Sequence, residues 1–186
     1  RADAGAPCEC VVAANDVARF GGAGIAVHVT SSAARFHARV VGNTVRECAG
    51  FGVLLRSAPK AASGGTATAD VLCNTLLRNK KGGVAVLGPL WSQEPAALPS
   101  NVSECSESAA TALDDAAGAA GGEGGRGARA ALAACGNLIV QCGVALSLRD
   151  GASALVVGNV LHASEQAAVV VDAGGRAALC LNEVSG

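Results

Sequence analysis

The chain has 186 residues, 41 of them Ala and 25 Gly, while its aromatics are three Phe and one Trp. A formal net charge of −1 leaves no electrostatic footprint for nucleic acid or an anionic membrane surface. So few rings exclude base-stacking platforms and weigh against sugar-stacking subsites. A chain of this length can bury a sizeable core, built here from 22 Val, 17 Leu, Ala and Cys.

The start, Arg1 to Pro7, has neither an initiator Met nor an apolar leader, so the sequence reads as a piece of a longer chain. It contains no uninterrupted apolar run of about 18 residues. The first short apolar run ends on an asparagine, Cys10-Val-Val-Ala-Ala-Asn15-Asp-Val17, and is followed by the alternating stretch Gly24-Ile-Ala-Val-His-Val29. The pair returns as Ala38-Arg-Val-Val-Gly-Asn43-Thr-Val with Gly52-Val-Leu-Leu-Arg56, then as Ala69-Asp-Val-Leu-Cys-Asn74-Thr-Leu with Gly83-Val-Ala-Val-Leu87. Later copies are Leu132-Ala-Ala-Cys-Gly-Asn137-Leu-Ile with Ala145-Leu-Ser-Leu-Arg149, and Ala154-Leu-Val-Val-Gly-Asn159-Val-Leu with Ala168-Val-Val-Val-Asp172. A last copy, Ala177-Ala-Leu-Cys-Leu-Asn182-Glu-Val, closes the sequence.

The asparagines Asn15, Asn43, Asn74, Asn137, Asn159 and Asn182 are separated by 28, 31, 63, 22 and 23 residues. The shortest intervals set a unit of ~22 residues, and the longer ones are that unit plus insertions, which a solenoid tolerates because they hang off one face. Within each unit the apolar period is two, the signature of strands. The expected fold is therefore all-β: a single-stranded parallel β-helix of about 5–6 coils spanning 1–186, with one long loop insertion at 88–130. At the bend between two strands the six asparagines are expected to stack as a structural ladder, each side chain hydrogen-bonding to the coils above and below. Five residues further on, Phe20, Cys48, Asn79, Cys142 and Ser164 form a second, mixed internal column.

The runs Gly42-Asn43-Thr-Val with Gly52-Val-Leu-Leu, and Gly136-Asn137-Leu-Ile with Gly143-Val-Ala-Leu, resemble the right-handed parallel β-helix repeats of the pectin-lyase-like superfamily. That resemblance implies a right-handed coil. It leaves function open, because the superfamily holds polysaccharide lyases, hydrolases and epimerases beside non-enzymatic modules.

Enzymes of this superfamily bind sugar on the exposed face of the strongest strand. Alternation places Ala26, Leu54, Ala85, Ser147 and Val170 in one outward column, and His28, Arg56, Leu87, Arg149 and Asp172 in another. The second column is the candidate binding stripe. A triad of His28, Ser147 and Asp172 is excluded, since four coils at about 4.8 Å each put His28 and Asp172 about 19 Å apart. The paired acids of a glycosidase are also missing from the stripe. Arg149 and Asp172 are expected to form an ion pair between adjacent coils, and Arg56 and Arg149 could anchor an acidic peptide. His37 and His162 stand isolated near turns and receive no role; Arg46 and Arg78 read as solvent-facing turn residues.

The insertion carries Trp91, three Pro, six acids and two Arg, a composition too poor in apolar residues to order itself. Its Asp114-Asp115 pair, its Gly122-x-Gly124-x-x-Gly127 match and its Asn101-Val-Ser103 sequon lie in this low-complexity context, and a short helix is expected over 108–117. The eight Cys include no CxxC pair and sit mostly inside apolar runs, so buried reduced thiols in a cytoplasmic protein are expected.

The functional expectation is a non-catalytic protein-interaction or scaffold module, the substrate-recognition region of a larger protein, similar to the β-helix regions of F-box substrate receptors. It carries no F-box sequence. It would take a protein or peptide partner, no nucleic acid, no membrane, no cofactor and no metal. The alternative is a polysaccharide lyase, hydrolase or epimerase whose catalytic coils lie outside this sequence.

Overall fold

Each apolar run ending on an asparagine becomes a strand that stops at a sharp bend, and the computed structural model shows how these runs stack. It describes residues 8–29, 35–57, 66–87, 132–172 and 175–186. The insertion at 88–130, with its acids, sequon, expected helix and Cys105, lies outside the described residues.

Among the described residues there are seventeen strands and no helix. Sheet A stacks β1 (Cys8–Ala13), β4 (Arg35–Val41), β7 (Thr66–Leu72), β10 (Leu132–Cys135), β13 (Ser153–Val157) and β16 (Arg176–Cys180). Sheet B stacks the three-residue strands β2 (Asp16–Ala18), β5 (Thr44–Arg46), β8 (Thr75–Leu77), β11 (Leu138–Val140), β14 (Val160–His162) and β17 (Glu183–Ser185). Sheet C stacks β3 (Ile25–Val29), β6 (Phe51–Ser57), β9 (Gly82–Leu87), β12 (Val144–Arg149) and β15 (Ala167–Val171). The chain visits A, B and C in turn, and every pairing is parallel, an arrangement compatible with a parallel β-helix.

The asparagine column joins sheets A and B. The side-chain oxygen Oδ1 of Asn43 accepts both the backbone N–H and the Nδ2–H of Asn15. The same two bonds, at 2.9 to 3.0 Å, run from Asn43 to Asn74, Asn74 to Asn137, Asn137 to Asn159 and Asn159 to Asn182. The other Nδ2 hydrogen goes to a strand carbonyl, Val40 for Asn74, Val71 for Asn137 and Ala134 for Asn159. Asn43, Asn74, Asn137 and Asn159 are each 1% exposed, so every polar atom of these side chains is satisfied inside the protein.

Each rung is preceded by a residue in the left-handed region: Ala14, Gly42, Cys73, Gly136, Gly158 and Leu181. The second column has the same device in Arg19, Glu47, Arg78, Gln141 and Ala163. A positive φ turns the chain sharply enough to aim the next side chain inward, and at eight of these eleven positions a residue with a Cβ carries the strain. In the second column Cys48, Asn79 and Cys142 are buried, and Asn79 Oδ1 accepts the Cys48 N–H at 3.1 Å. Phe20, expected inside, is 59% exposed; β2, which precedes it, is an edge strand of sheet B among the described residues.

The core lies between the three sheets. Ile25, Val27, Val53, Leu55, Val84, Val86, Leu146 and Leu148 point into it from sheet C, and Val45, Leu76, Ile139 and Leu161 from sheet B. Sheet A answers largely with alanines: Ala38, Ala69 and Ala154 share one transverse row with Leu132. Small residues are also forced where the chain enters sheet C. A Cβ on Gly83 would lie 2.5 Å from Ile139 Cγ2 and 2.7 Å from the Ala145 carbonyl oxygen. Among the described residues, the Ala and Gly at these positions thus follow from a core too narrow for large side chains on all three walls.

A methyl group on Gly136 meets nothing closer than Cys73 Sγ at 3.5 Å, but Gly136 has φ +62°. Gly136→Ala is therefore expected to lower unfolding stability by about 1 kcal/mol through backbone strain alone. Cys73→Gly, at the equivalent position one turn earlier, should shift it the other way by less than about 1 kcal/mol. Urea unfolding of both variants checks this; shifts of the same sign contradict it.

Candidate functional site

Sheet C places the stripe read from the sequence in one transverse row. His28 lies beside Arg56, Arg56 beside Leu87, and Leu87 beside Arg149. Asp172, just past β15, donates its N–H to the Leu148 carbonyl and so continues the row. His28 and Arg56 are exposed and Leu87 is half-buried. Arg149 Nε is 3.5 Å from Asp172 Oδ2, the expected ion pair between adjacent turns. His28 and Arg56 have no hydrogen-bond or ion-pair partner among the described residues. The other outward column is less open than alternation suggests: Ala85 is 0% and Ser147 2% exposed. These are short side chains among longer neighbours, and Arg149 Nε folds back to donate to Ser147 Oγ at 3.3 Å. His28, Ser147 and Asp172 are not brought together; the strand order keeps β3 and β15 at opposite edges of the sheet.

A second constellation stands on the outer face of sheet A. The register sets Glu9, His37 and Thr68 side by side in one row, and Val11, Arg39, Asp70 and Ala133 in the next. His37 bridges the rows diagonally: Nδ1 is 2.8 Å from Thr68 Oγ1 and Nε2 is 3.2 Å from Asp70 Oδ2. Arg39 Nε lies 4.0 Å from the same carboxylate oxygen. Asp70 is buried, 4% exposed, and its Oδ1 has no partner. Burial raises the Asp70 pKa above the ordinary carboxylate range, against the attraction of His37 and Arg39, which pull it down, and with a smaller upward push from Glu9. A buried carboxylate in contact with a half-exposed imidazole is a place where chemistry concentrates. The third row, Leu72, Cys135 and Val157, is apolar and buried.

Sequence reasoning left His37 without a role and read Asp70 only as part of the repeat. Applying the two-residue alternation to the strand before each asparagine would have aligned Glu9, His37 and Thr68. The diagonal reach of His37 to Asp70 has no sequence signature.

The bend residues Arg46 and Arg78 are ion-paired. Arg46 Nη2 is 3.2 Å from Asp16 Oδ2, and this hydrogen bond raises the guanidinium pKa. Glu47 takes Arg19 at 3.0 Å and Arg78 at 3.7 Å, and the Arg19 hydrogen bond holds its carboxyl below the usual range. Among the described cysteines none is disulfide-bonded; Cys48, Cys135 and Cys142 are buried, and burial pushes the Cys142 thiol up. Cys8 and Cys73 are exposed, contrary to the expectation of burial, Cys73 because it occupies the outer corner of a bend. Among the described residues no three His, Cys, Asp or Glu side chains converge as metal ligands, and no helix is long and apolar enough to cross a membrane. No family model, curated protein sequence or solved structure matches the chain.

Because the folded pKa of Asp70 is raised, the native state holds that proton more tightly than the unfolded chain. Its contribution to stability is therefore present at low pH and lost as pH rises from the ordinary carboxylate range through the raised value. Asp70→Asn should remove this fall, seen as a flatter dependence of urea midpoint on pH just above the ordinary carboxylate range. An unchanged slope in the variant contradicts the assignment.

Proposed function

We propose that the chain works as a protein-interaction module, a right-handed parallel β-helix of about 5–6 coils, akin in architecture to the pectin-lyase-like superfamily. Its docking surface is the row His28–Arg56–Leu87–Arg149 on sheet C, and its partner is an acidic peptide. The observation that carries this reading is the exposed His28–Arg56 pair, which has no counter-charge among the described residues. Arg149 stands two strand spacings from Arg56, roughly 10 Å. Arg56, without an acid of its own among the described residues, suits a carboxylate carried on an extended chain, with Leu87 beside it. Arg149 can take a second only by giving up its exposed pair with Asp172. A scaffold role in the cytoplasm, as the substrate-recognition part of a larger protein, is consistent with the seven described cysteines forming no disulfide. The alternative, a polysaccharide lyase, hydrolase or epimerase, is less well served by this row. Asp172 is its single acid and is neutralised by Arg149, whereas a glycosidase needs two acids facing one bond.

The test is fluorescence anisotropy of a labelled Glu-rich dodecapeptide against the purified chain at low salt, with a Gln-rich peptide as control. Binding of the acidic peptide alone, weakened at least about 5-fold by Arg56→Gln and by physiological salt, is expected. Equal binding by Arg56→Gln contradicts the docking row. Binding and cleavage of oligogalacturonate in its place would favour the enzyme reading.

A further inference from the structure

The sheet A constellation lies on a different face from the proposed docking row and stands independently of it. We infer that Thr68, His37 and Asp70 form a nucleophile–base–orienter relay that accepts an acyl group from a small carboxylic ester. Three observations converge on it. Thr68 Oγ1 and His37 Nδ1 are 2.8 Å apart, within the contact that lets an imidazole take a hydroxyl proton. His37 Nε2 is 3.2 Å from Asp70 Oδ2, so an ionised Asp70 accepts the Nε2–H and leaves the Nδ1 lone pair facing the Thr68 hydroxyl. Asp70 is buried while Thr68 and His37 are half-exposed, which places the orienting group inside and the reacting groups at the surface.

The neighbours define the substrate class. In the middle of a parallel sheet the backbone N–H groups are committed to adjacent strands, so no pair of free amides is offered to an oxyanion. Arg39, in the row next to Thr68 and 4.0 Å from Asp70 Oδ2, has no hydrogen bond among the described residues and is the cation assigned to the developing charge. A single guanidinium matches an ester with a good leaving group better than an amide. Val11, opposite Arg39 on β1 and 58% exposed, offers an apolar surface to a short acyl chain.

In the reaction, Thr68 Oγ1 adds to the ester carbonyl carbon as its proton passes to His37 Nδ1. The tetrahedral oxyanion faces Arg39. The carbon–oxygen bond to the leaving group then breaks, and the departing oxygen takes the proton from His37. Water attacks the acyl-threonine by the same route, releasing the carboxylic acid and restoring the hydroxyl. Asp70 acts through His37 and is a positioning residue. Among the described residues, Glu9 from β1, Arg39 from β4 and Asp70 from β7 are the charged groups around the imidazole.

The full chain is incubated with p-nitrophenyl acetate and, separately, with an alkyl fluorophosphonate, and the modified residue is mapped by mass spectrometry. One adduct on Thr68 is expected. Hydrolysis above the buffer rate should fall at least about 10-fold in Thr68→Val and His37→Gln, and be kept in Thr68→Ser. Asp70→Asn should lower the rate and move the rising limb of the pH–rate profile to lower pH, because the imidazolium loses its counter-charge; a merely structural Asp70 would leave the limb in place. No adduct, or acetyl groups on Lys80 and Lys81 alone with Thr68→Val as fast as wild type, overturns the inference. Should Thr68→Val fail to fold, the mapping on the wild-type chain decides by itself.

Discussion

A chain that passes through three sheets in each circuit must bury backbone groups where it bends, and at the bend from sheet A to sheet B the asparagine column is the interaction that makes this tolerable. In the four central rungs, Asn43, Asn74, Asn137 and Asn159, Oδ1 takes two N–H groups from the turn before it, and Nδ2 gives one hydrogen to the next rung and one to a strand carbonyl. An apolar side chain there would leave several buried polar atoms without partners at once. Because identical side chains bond to one another, the column also fixes register. A slip of one residue would break the ladder and turn every strand face inside out.

Much else follows from that alignment. With register held, the inward positions of sheet C stack mostly as Val and Leu, and sheet B contributes one large residue per central strand. Sheet A alternates a mainly Ala row with a mainly Val row, Val40, Val71, Ala134 and Val156. Outward positions are aligned by the same register, so side chains far apart in sequence become neighbours. His37 and Thr68 are 31 residues apart and touch; Arg149 and Asp172 meet across one strand spacing. The two candidate surfaces are thus by-products of one repeat, read on two of its faces.

The sequence carried the repeat openly, because the asparagines and the alternating runs after them recur in order. Strand faces of sheet C and the pairing of Arg149 with Asp172 were legible for the same reason. Three features were not. Positive φ at Ala14, Cys73 and Leu181 is imposed by the bend on residues that do not favour it, so their identity conceals it. The exposure of Phe20 goes with the edge position of β2 among the described strands, not with its position in the unit. The His37–Asp70 contact runs diagonally between rows, which a column-by-column reading of one sheet cannot find.

The ladder claim is most directly tested by a double-mutant cycle on adjacent central rungs, Asn74→Ala and Asn137→Ala, with unfolding free energies from urea titration. Each rung depends on the other's hydrogen bonds, so the double variant should depart from additivity by about 0.5–3 kcal/mol. The distant pair Asn15→Ala and Asn159→Ala should add within about 0.5 kcal/mol. Additivity in both pairs would contradict the ladder as the interaction that sets this fold.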